Sequence, residues 1–297
     1  MKIDQFKDNF ADNIYTKQKL AKYAWFGVGG NAEILYIPEK EKSLEKFLKA
    51  KPSDCKIFTM GAGSNLLIRD NGIDGVTLIT SKLNKISIDK DGIITANCGA
   101  FDAEVARFAR DHSRTGLEFL IGIPGTVGGG IKMNSGAFGS EFKDVIIDVK
   151  AINHNGEYKI FSNEDLDMKY RKIGLKDEWI FLSARFRTSV NTEKNIQDKM
   201  KKIIHSRKSA QPIGVKTGGS TFKNPVGKKA WKLIDQAGCR GWKNGDAMIS
   251  EKHCNFIINL KNANAHQIEE LGENVKQKVF ENTGIELNWE IERVGNR

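Results

Sequence analysis

The sequence lacks the long apolar runs, cysteine pairs and low-complexity tracts that mark several large classes of protein. None of its apolar stretches approaches the roughly 18 to 20 residues that a membrane-spanning helix needs. The N-terminus, Met1–Asp8, is charged where a signal peptide would be apolar. The four cysteines are far apart and form no CxxC pair, so we expect reduced thiols with structural roles. These absences predict a cytoplasmic chain without membrane insertion.

Several ligand-binding signatures are missing as well. The five histidines show no HExxH or other metal-ligand spacing, so we predict no metal site. There is no GxxxxGK[ST] phosphate loop. One glycine-rich loop, Gly61–Asn65, lacks the third glycine of the dinucleotide fingerprint, and the apolar residues after it indicate a strand where that fingerprint requires a helix. A Rossmann site is therefore disfavoured.

The formal charge of +10 is compatible with nucleic acid, a membrane surface or small anionic ligands as partners. The most basic stretch, Lys199–Lys208, reads as a helix with Met200, Ile203 and Ile204 on one side, which indicates a solvated helix face. No aromatic and basic pattern of the kind that binds single strands recurs along the chain. We therefore expect small anionic ligands and no nucleic acid.

Hydrophobic residues make up 39% of the 297 residues, which is enough for more than one core. The rhythm of apolar positions predicts an α+β fold. We expect a helix at the N-terminus, hairpins near Asp91-Gly92 and Asn155-Gly156, and a helix from about Asn264 that Gly284 closes. The predicted domains are residues 1–82, 83–200 and 201–297.

Glycine-rich segments stand out at Gly61–Asn65, Gly122–Gly130 and Asn134–Ala137. Glycine permits positive φ and close backbone approach, so successive N–H groups can converge on phosphate oxygens. Each loop taken alone could equally be an ordinary turn. Together they favour a phosphate held by loops that connect strands.

These loops, with Trp25–Gly30, resemble the FAD-binding segments of the UDP-N-acetylenolpyruvoylglucosamine reductase (MurB) family. The resemblance runs in order from about residue 20 to the C-terminus. It implies a two-part FAD-binding region of the MurB/vanillyl-alcohol-oxidase-like type, followed by a smaller α+β substrate domain. The FAD would be noncovalent, because none of the loops contains the histidine that attaches flavin in related folds. The implied cofactor-binding residues are Gly61, Ala62, Gly63, Ser64, Asn65, Leu66, Gly122, Ile123, Pro124, Gly125, Thr126, Gly128, Asn134, Ser135, Gly136 and Ala137.

The same resemblance implies a reaction in peptidoglycan precursor synthesis. NADPH would be the hydride donor, and UDP-N-acetylglucosamine enolpyruvate would be reduced to UDP-N-acetylmuramate. Arg171 would stabilise the developing enolate, because a guanidinium can hold a carboxylate in a forked geometry. Ser220 in Gly218–Pro225 would donate the proton, and Glu290 would assist it. The implied substrate-binding residues are Tyr170, Lys223 and Asn224.

Some questions stay open in the sequence. Alternation puts Glu290 and Glu292 on the same face of a strand, and only the family motif favours Glu290. Lys172-Ile173-Gly174 departs from the family, where a serine commonly stands two positions after the arginine. The compact spacing after Arg171 resembles the shorter branch of the family, which lacks an additional substrate-covering loop. A different FAD oxidoreductase or oxidase, or a non-catalytic nucleotide-binding protein, remains an alternative. We expect a monomer or a weak oligomer.

Overall fold

The computed structural model describes residues 14–297. The chain divides into two compact units made of discontinuous segments. Unit 1 contains the described part of residues 1–16 together with residues 34–62 and 75–207, and unit 2 contains residues 17–33, 63–74 and 208–297. The predicted division into three domains stays a prediction.

Strands and helices alternate irregularly along the described chain, as an α+β fold requires. The strands are β1 (Ile14–Lys19), β2 (Asn31–Tyr36), β3 (Ile57–Met60), β4 (Leu66–Ile68), β5 (Ile73–Ile79), β6 (Ile86–Ile88), β7 (Ile94–Asn97), β8 (Arg114–Thr115), β9 (Gly136–Ala137), β10 (Ser140–Glu141), β11 (Ile146–Asn153), β12 (Tyr158–Ser162), β13 (Trp179–Phe186), β14 (Ser189–Val190), β15 (Lys216–Ser220), β16 (Lys243–Asn244), β17 (Ala247–Ile249), β18 (Phe256–Asn259) and β19 (Glu292–Val294). The α-helices are α1 (Glu41–Ala50), α2 (Asp102–Asp111), α3 (Val127–Lys132), α4 (Phe142–Val145), α5 (Glu193–Ala210), α6 (Ala230–Gln236) and α7 (Ala265–Thr283). Two 3-10 helices cover Leu20–Tyr23 and Glu118–Gly122.

Unit 1 contains most of one sheet, whose strands β1, β2 and β5 extend by a few residues into unit 2, and the whole of a second sheet. One has the order β1-β2-β5-β3, in which β3 and β5 are parallel, and the other has the order β12-β11-β13-β7-β6 with antiparallel neighbours. The predicted hairpins at Asp91-Gly92 and Asn155-Gly156 join β6 to β7 and β11 to β12. Gly92 and Gly156 have φ of +80 and +82, which a tight turn requires there.

Unit 2 combines a sheet of order β15-β18-β17-β16 with a parallel pair, β19 and β4. Helix α7 begins where the Asn264 side chain accepts a 2.8 Å hydrogen bond from the Gln267 amide. It ends at Gly284, whose φ of +67 the absence of a Cβ permits. The predicted start and end of this helix are confirmed. Its apolar face packs in the core of unit 2 against α6 and β18.

The helix expected in the first part of the chain is not found in the described residues that begin it, and residues 1–13 lie outside the described part. Residues Ile14–Lys19 form β1, and Ile14 is buried in the core that the β1-β2-β5-β3 sheet builds. Pairing beside β2 outweighs the helix preference of the lysines and glutamine in this short segment. The predicted helix over the basic stretch is confirmed as α5, in which Met200 is buried and Ile204 is 45% exposed.

Among residues 14–297, no helix combines the length and the apolar character that crossing a bilayer would need.

Candidate active site

The first predicted cofactor loop, Gly61–Leu66, runs from β3 into β4 and is divided between the two units. In unit 1, a Cβ at position 61 would strike the Thr126 hydroxyl, so the backbone can lie there only because the residue is glycine. In unit 2, the Gly63 carbonyl accepts a 3.1 Å hydrogen bond from the Trp25 amide, and Gly63 has a φ of +65. The loop is therefore a tight backbone turn, as a loop that approaches a ligand must be.

Thr126 gives unit 1 its clearest sign of a ligand site. Its side chain is only 2% exposed, and its hydroxyl oxygen has no hydrogen-bond partner among the described residues. A buried polar group left without a partner costs about 1–3 kcal/mol. A polar ligand group placed against the hydroxyl would remove that cost. The residues around the loop therefore fit a bound polar cofactor.

The second glycine loop passes into a short helix, α3, so it is only partly a loop. The amides of Val127 and Gly128 donate 2.9 Å hydrogen bonds to the carbonyls of Ala100 and Cys98. These N–H groups are therefore engaged within unit 1. A cofactor contact of Gly128 must therefore use its other backbone atoms.

Asn134 lies at the end of that loop and is fully buried. Its side-chain nitrogen donates to the Glu141 carboxylate at 2.9 Å and to the Lys169 carbonyl at 3.2 Å, and its side-chain oxygen accepts from the Lys143 amide at 3.0 Å. The side chain is thus fully engaged within the protein. Asn134 connects the glycine loop with the segment that carries Arg171. Its main-chain amide donates to the Ile131 carbonyl at 3.1 Å, and its carbonyl accepts from Arg171 at 3.5 Å, so its cofactor contact stays a prediction.

Tyr170 and Arg171 occupy the tip of a tight turn. Lys169 and Lys172 exchange hydrogen bonds of 2.9 and 3.1 Å between their backbone groups, which closes the turn. The guanidinium of Arg171 lies over the Tyr170 ring at 4.9 Å and donates to the carbonyls of Asn134 and Gly136 at 3.5 and 3.4 Å. The turn therefore aims the arginine at the end of the third glycine loop, Asn134–Ala137.

A carboxylate supports this arrangement. Burial opposes ionisation of Glu141, but hydrogen bonds from Lys143 and Asn134 and the charges of Lys143 and Arg171 together lower its pKa below the ordinary value. Lys143 approaches the carboxylate at 2.9 Å. Glu141 is therefore ionised at neutral pH, and it attracts the guanidinium of Arg171 from within the same unit.

Ser220 of unit 2 ends strand β15, directly after a bulge. Thr217 faces Ile258 and Ser220 faces Phe256, so β15 carries one more residue than β18 across this step. The extra residue falls at Gly218-Gly219, where Gly219 has a φ of +82 and a Cβ at Gly218 would collide with the Phe26 ring. A bulge redirects the side chains that follow it, and here it sets the direction of Ser220.

The segment after Ser220 runs beside the segment that contains Glu290. Phe222 and Trp289 form an antiparallel bridge, and the Lys223 amide donates to the Asn288 carbonyl at 2.8 Å. The Glu290 amide donates to the Thr221 carbonyl, also at 2.8 Å. Unit 2 therefore places the predicted proton donor and the predicted glutamate on neighbouring antiparallel segments.

The structure separates Glu290 from Glu292, which the sequence did not. Strand β19 begins only at Glu292, so the expectation that both residues share one face of a strand is wrong. Glu290 is half-buried, with its carbonyl accepting a 3.1 Å hydrogen bond from the Asn65 side chain, whereas Glu292 is exposed. The Glu292 amide instead donates to the Asn65 carbonyl at 3.0 Å. Because Glu290 and Glu292 have different hydrogen-bond partners, the alternation of side chains along a strand does not extend from one to the other.

Lys223 and Asn224 follow at the exit of this segment. Lys223 is half-buried, and Asn224 is exposed. The Asn224 side-chain oxygen accepts a 3.0 Å hydrogen bond from the Ala230 amide, which begins helix α6. The side-chain nitrogen of Asn224 is therefore the part of this side chain that can donate to a ligand.

Two supporting residues, Glu141 and Asn255, were missed in the sequence. Asn255 is buried and pairs with the backbone of Phe222. His253 packs against Phe256, and its ring nitrogen accepts from the Asn255 amide at 3.3 Å. The polar asparagine that opens an apolar strand was the available signal.

Two family models match the chain. One, described as an FAD binding domain, covers residues 32–162, and the other, the C-terminal domain of UDP-N-acetylenolpyruvoylglucosamine reductase, covers residues 211–294. The fold and the glycine-loop site thus define an FAD-binding α+β protein, and the predicted fold class and cofactor are confirmed.

Relatives over nearly the whole length are more specific. The chain is 46% identical over 277 residues to a UDP-N-acetylenolpyruvoylglucosamine reductase of Rickettsia bellii, covering 93% of this chain and 92% of that one. It is 47% identical over 278 residues to the reductase of Rickettsia prowazekii, covering 93% and 94%. A crystal structure of the reductase (MurB) from Thermus caldophilus aligns with a TM-score of 0.83 at 31% identity, covering 94% and 98%. The chain therefore belongs to the UDP-N-acetylenolpyruvoylglucosamine reductase family, as its motifs predicted.

Proposed function

We propose that this enzyme uses NADPH and FAD to reduce UDP-N-acetylglucosamine enolpyruvate to UDP-N-acetylmuramate, a step in peptidoglycan precursor synthesis. The observation that carries the proposal is the 45–47% identity with reductases over more than nine-tenths of the chain. The adjacency of the Ser220 and Glu290 segments within unit 2 supports it independently. A reduction of this kind needs a hydride for one alkene carbon, a proton for the other and stabilisation of the charge between them.

FAD, when bound, supplies the hydride. The residues proposed to hold it are those of the three glycine loops, Gly61–Leu66, Gly122–Gly128 and Asn134–Ala137. The unpartnered Thr126 hydroxyl and the side-chain-free backbone at Gly61 support this assignment. The amides of Val127 and Gly128 already donate to carbonyls of the protein. We therefore assign the polar contacts with FAD in this loop to Thr126 and to the residues before it.

Arg171 is proposed to bind the carboxylate of the enolpyruvyl group. A guanidinium keeps its charge at any physiological pH and matches a carboxylate with two parallel hydrogen bonds. As negative charge develops on the carboxylate side, this contact becomes stronger and lowers the barrier. Tyr170, whose ring lies under the guanidinium at 4.9 Å, limits the directions that Arg171 can adopt.

Ser220 is proposed to donate the proton that completes the reduction. An alcohol is a weak acid, so the transfer needs a fixed direction and a polar neighbour. The bulge at Gly218-Gly219 supports the first requirement, and the neighbouring segment with Glu290 supports the second. Lys223 would bind the diphosphate of the substrate by charge, and the Asn224 side-chain nitrogen would donate to the sugar nucleotide.

Three further expectations, on location, oligomeric state and domains, complete the proposal. The enzyme works in the cytoplasm, where its nucleotide substrates occur, and binds neither nucleic acid nor membrane. It acts as a monomer or weak oligomer. Residues 1–82 and 83–200 form the two parts of the FAD-binding region, and residues 201–297 form the substrate domain.

The visible spectrum of the purified protein tests the reaction. NADPH should bleach a yellow flavin, and the enolpyruvyl sugar nucleotide should restore its colour under anaerobic conditions. A flavin that NADPH bleaches and the substrate cannot reoxidise would refute the proposal. Rapid reoxidation by oxygen alone, independent of the sugar nucleotide, would instead indicate an oxidase on the same scaffold.

The variant Ser220→Ala tests the proton donor. Reduction of the flavin by NADPH should stay within about twofold, while reoxidation by substrate should slow by roughly 10²–10⁴-fold, because only the second half-reaction needs the proton. Ser87→Ala, at an exposed serine of β6, serves as the control. Equal slowing of both half-reactions would argue against this role for Ser220.

A further inference from the structure

We infer that Asn255 is a positioning residue, which sets the places of Ser220 and Glu290 through contacts with the backbone between them. The inference rests on the proposed function of those two residues. Asn255 precedes strand β18 and is 5% exposed, so its side-chain amide must find hydrogen-bond partners inside unit 2. It finds them on the segment that follows Ser220.

The side chain of Asn255 behaves as a strand partner. Its oxygen accepts from the Phe222 amide at 3.0 Å, and its nitrogen donates to the Phe222 carbonyl at 2.8 Å. Its backbone carbonyl accepts from the Thr221 amide at 2.8 Å. One residue thus binds the backbone of the two residues that follow Ser220, Thr221 and Phe222.

This pairing is needed because the bulge interrupts the ordinary ladder. The regular register between β15 and β18 ends at Ser220 opposite Phe256. Beyond that point the side-chain amide of Asn255 replaces the main-chain groups that a continuing strand would offer. The Thr221 hydroxyl reinforces the junction by accepting from the Ile257 amide at 3.2 Å.

The same short segment holds the glutamate. The Thr221 carbonyl accepts hydrogen bonds from the Glu290 amide at 2.8 Å and from the Ile291 amide at 3.4 Å. A shift of Thr221 would therefore move Ser220, to which it is covalently joined, and also Glu290, to which it is hydrogen-bonded. Asn255 controls that shift because it anchors Thr221 and Phe222 together.

The chain contains a matched control at the other end of β18. Asn259 is also 5% exposed, and its side chain also bonds two backbone groups, the Phe26 carbonyl at 2.9 Å and the Ala263 amide at 3.1 Å. Those groups lie in segments without Ser220 or Glu290. The Phe26 ring, which lies against Gly218 of the bulge, is held in addition by the core of unit 2, where it is fully buried. The two asparagines are therefore alike in burial and in number of bonds, and they differ in what they hold.

The test compares Asn255→Asp with Asn259→Asp in the flavin-loaded enzyme. Each change keeps the size of the side chain and removes its N–H donor. We expect flavin reduction by NADPH to stay within about twofold in both variants. Reoxidation by the substrate should slow at least about tenfold more in Asn255→Asp, because there the lost hydrogen bond displaces the segment that carries Ser220 and holds Glu290. Equal slowing in the two variants would overturn the inference.

A double variant separates positioning from general damage. When Ser220 is already alanine, Asn255→Asp should slow reoxidation by less than about threefold further, since groups that act as a unit give non-additive losses. Full additivity would contradict the inference. If Asn255→Asp does not fold, Asn255→Ser and Asn259→Ser are compared in the same way, with the same expected contrast.

The result for the unmodified enzyme distinguishes a failure of the proposed function from a failure of the role proposed for Asn255. If it is not reoxidised by the substrate, the proposed function fails. If it is reoxidised and Asn255→Asp behaves as Asn259→Asp does, the function stands and only the role of Asn255 is refuted.

Discussion

The two units support their proposed catalytic residues with different kinds of polar contact. In unit 1 the turn with Arg171 depends on Asn134, whose side chain is bonded to the Glu141 carboxylate, and three further acids, Glu45, Asp102 and Glu118, are buried elsewhere in the unit. In unit 2 the segment with Ser220 depends on Asn255, whose side chain is bonded only to backbone groups. The buried polar residues of unit 2 include no acid.

The difference concerns sensitivity to pH. A hydrogen bond between an amide side chain and the backbone is the same at any pH at which the protein is folded. A network built on a carboxylate weakens when that carboxylate takes up a proton. We therefore expect acid to loosen the surroundings of Arg171 before it affects those of Ser220.

Arg171→Ala should give the largest effect in unit 1. We expect reoxidation by the substrate to slow by roughly 10²–10³-fold, because the charge that develops on the carboxylate loses its main partner. Reduction by NADPH should change little, as stopped-flow absorbance of the flavin would show. Lys172→Ala, at the exposed neighbour in the same turn, is the control, and a comparable loss there would mean that the turn, not the guanidinium, matters.

Glu290→Gln should show the corresponding effect in unit 2. Reoxidation should slow by roughly a hundredfold, since an ionisable group beside the proton donor is replaced by a neutral one. Glu292→Gln, which changes an exposed side chain two residues on, should stay within about twofold. The two variants are compared by their rates of flavin reoxidation. If Glu292→Gln proved the more damaging, the assignment between the two glutamates would be reversed.

Asp102→Asn tests the buried acid of unit 1. Both carboxyl oxygens of Asp102 lack partners among the described residues, and burial raises the pKa of this group well above 3.8. The native state therefore favours the protonated form, while the unfolded chain releases the proton. Stability is fully present below the unfolded pKa and is lost as pH rises towards the native pKa. The variant should gain on the wild type by up to about 1.4 kcal/mol per pH unit in that window.

Urea unfolding between about pH 4 and 8 measures this gain. Asp111→Asn, at the exposed end of the same helix α2, provides the comparison for replacing an acid of this helix by its amide. A difference from the wild type that stayed constant with pH for Asp102→Asn would contradict the burial of an uncompensated acid.

Glu141→Gln should have the smallest effect. Its pKa is lowered in the native state, so it stabilises the protein above its unfolded pKa, and this contribution is lost as pH falls through the native pKa. The variant should be about 1 kcal/mol less stable at neutral pH and should converge with the wild type in acid. Thermal unfolding at several pH values would show the convergence, and a gap that widened in acid would be the contrary result.

Local signals were sufficient for much of the fold. Helix α7 was predicted with both ends, because Asn264 and Gly284 act within a few residues of the turns they cap. The hairpins at Gly92 and Gly156 were predicted for the same reason. Strand β1 was not predicted, because it depends on pairing with β2, and the sequence of β1 alone does not indicate that pairing.

The candidate site shows the same difference between what local and distant contacts determine. The family motifs indicated Arg171, Ser220 and Glu290 as candidates, but their supports come from distant parts of the chain. Asn255 reaches Phe222 across 33 positions and Asn65 reaches Glu290 across 225. Contacts of that separation arise only when the sheets assemble, so no pattern within one segment predicts them.

The backbone of Arg171 has a φ of +54, in the left-handed region that side chains with a Cβ adopt only at a cost. Glycine or asparagine would adopt that conformation more easily. Selection of a mutant library for heat resistance alone should therefore enrich these two residues at position 171. Selection for growth of cells that depend on the enzyme for cell-wall synthesis should retain arginine. Such a result would separate what the polypeptide needs in order to fold from what the proposed reaction needs.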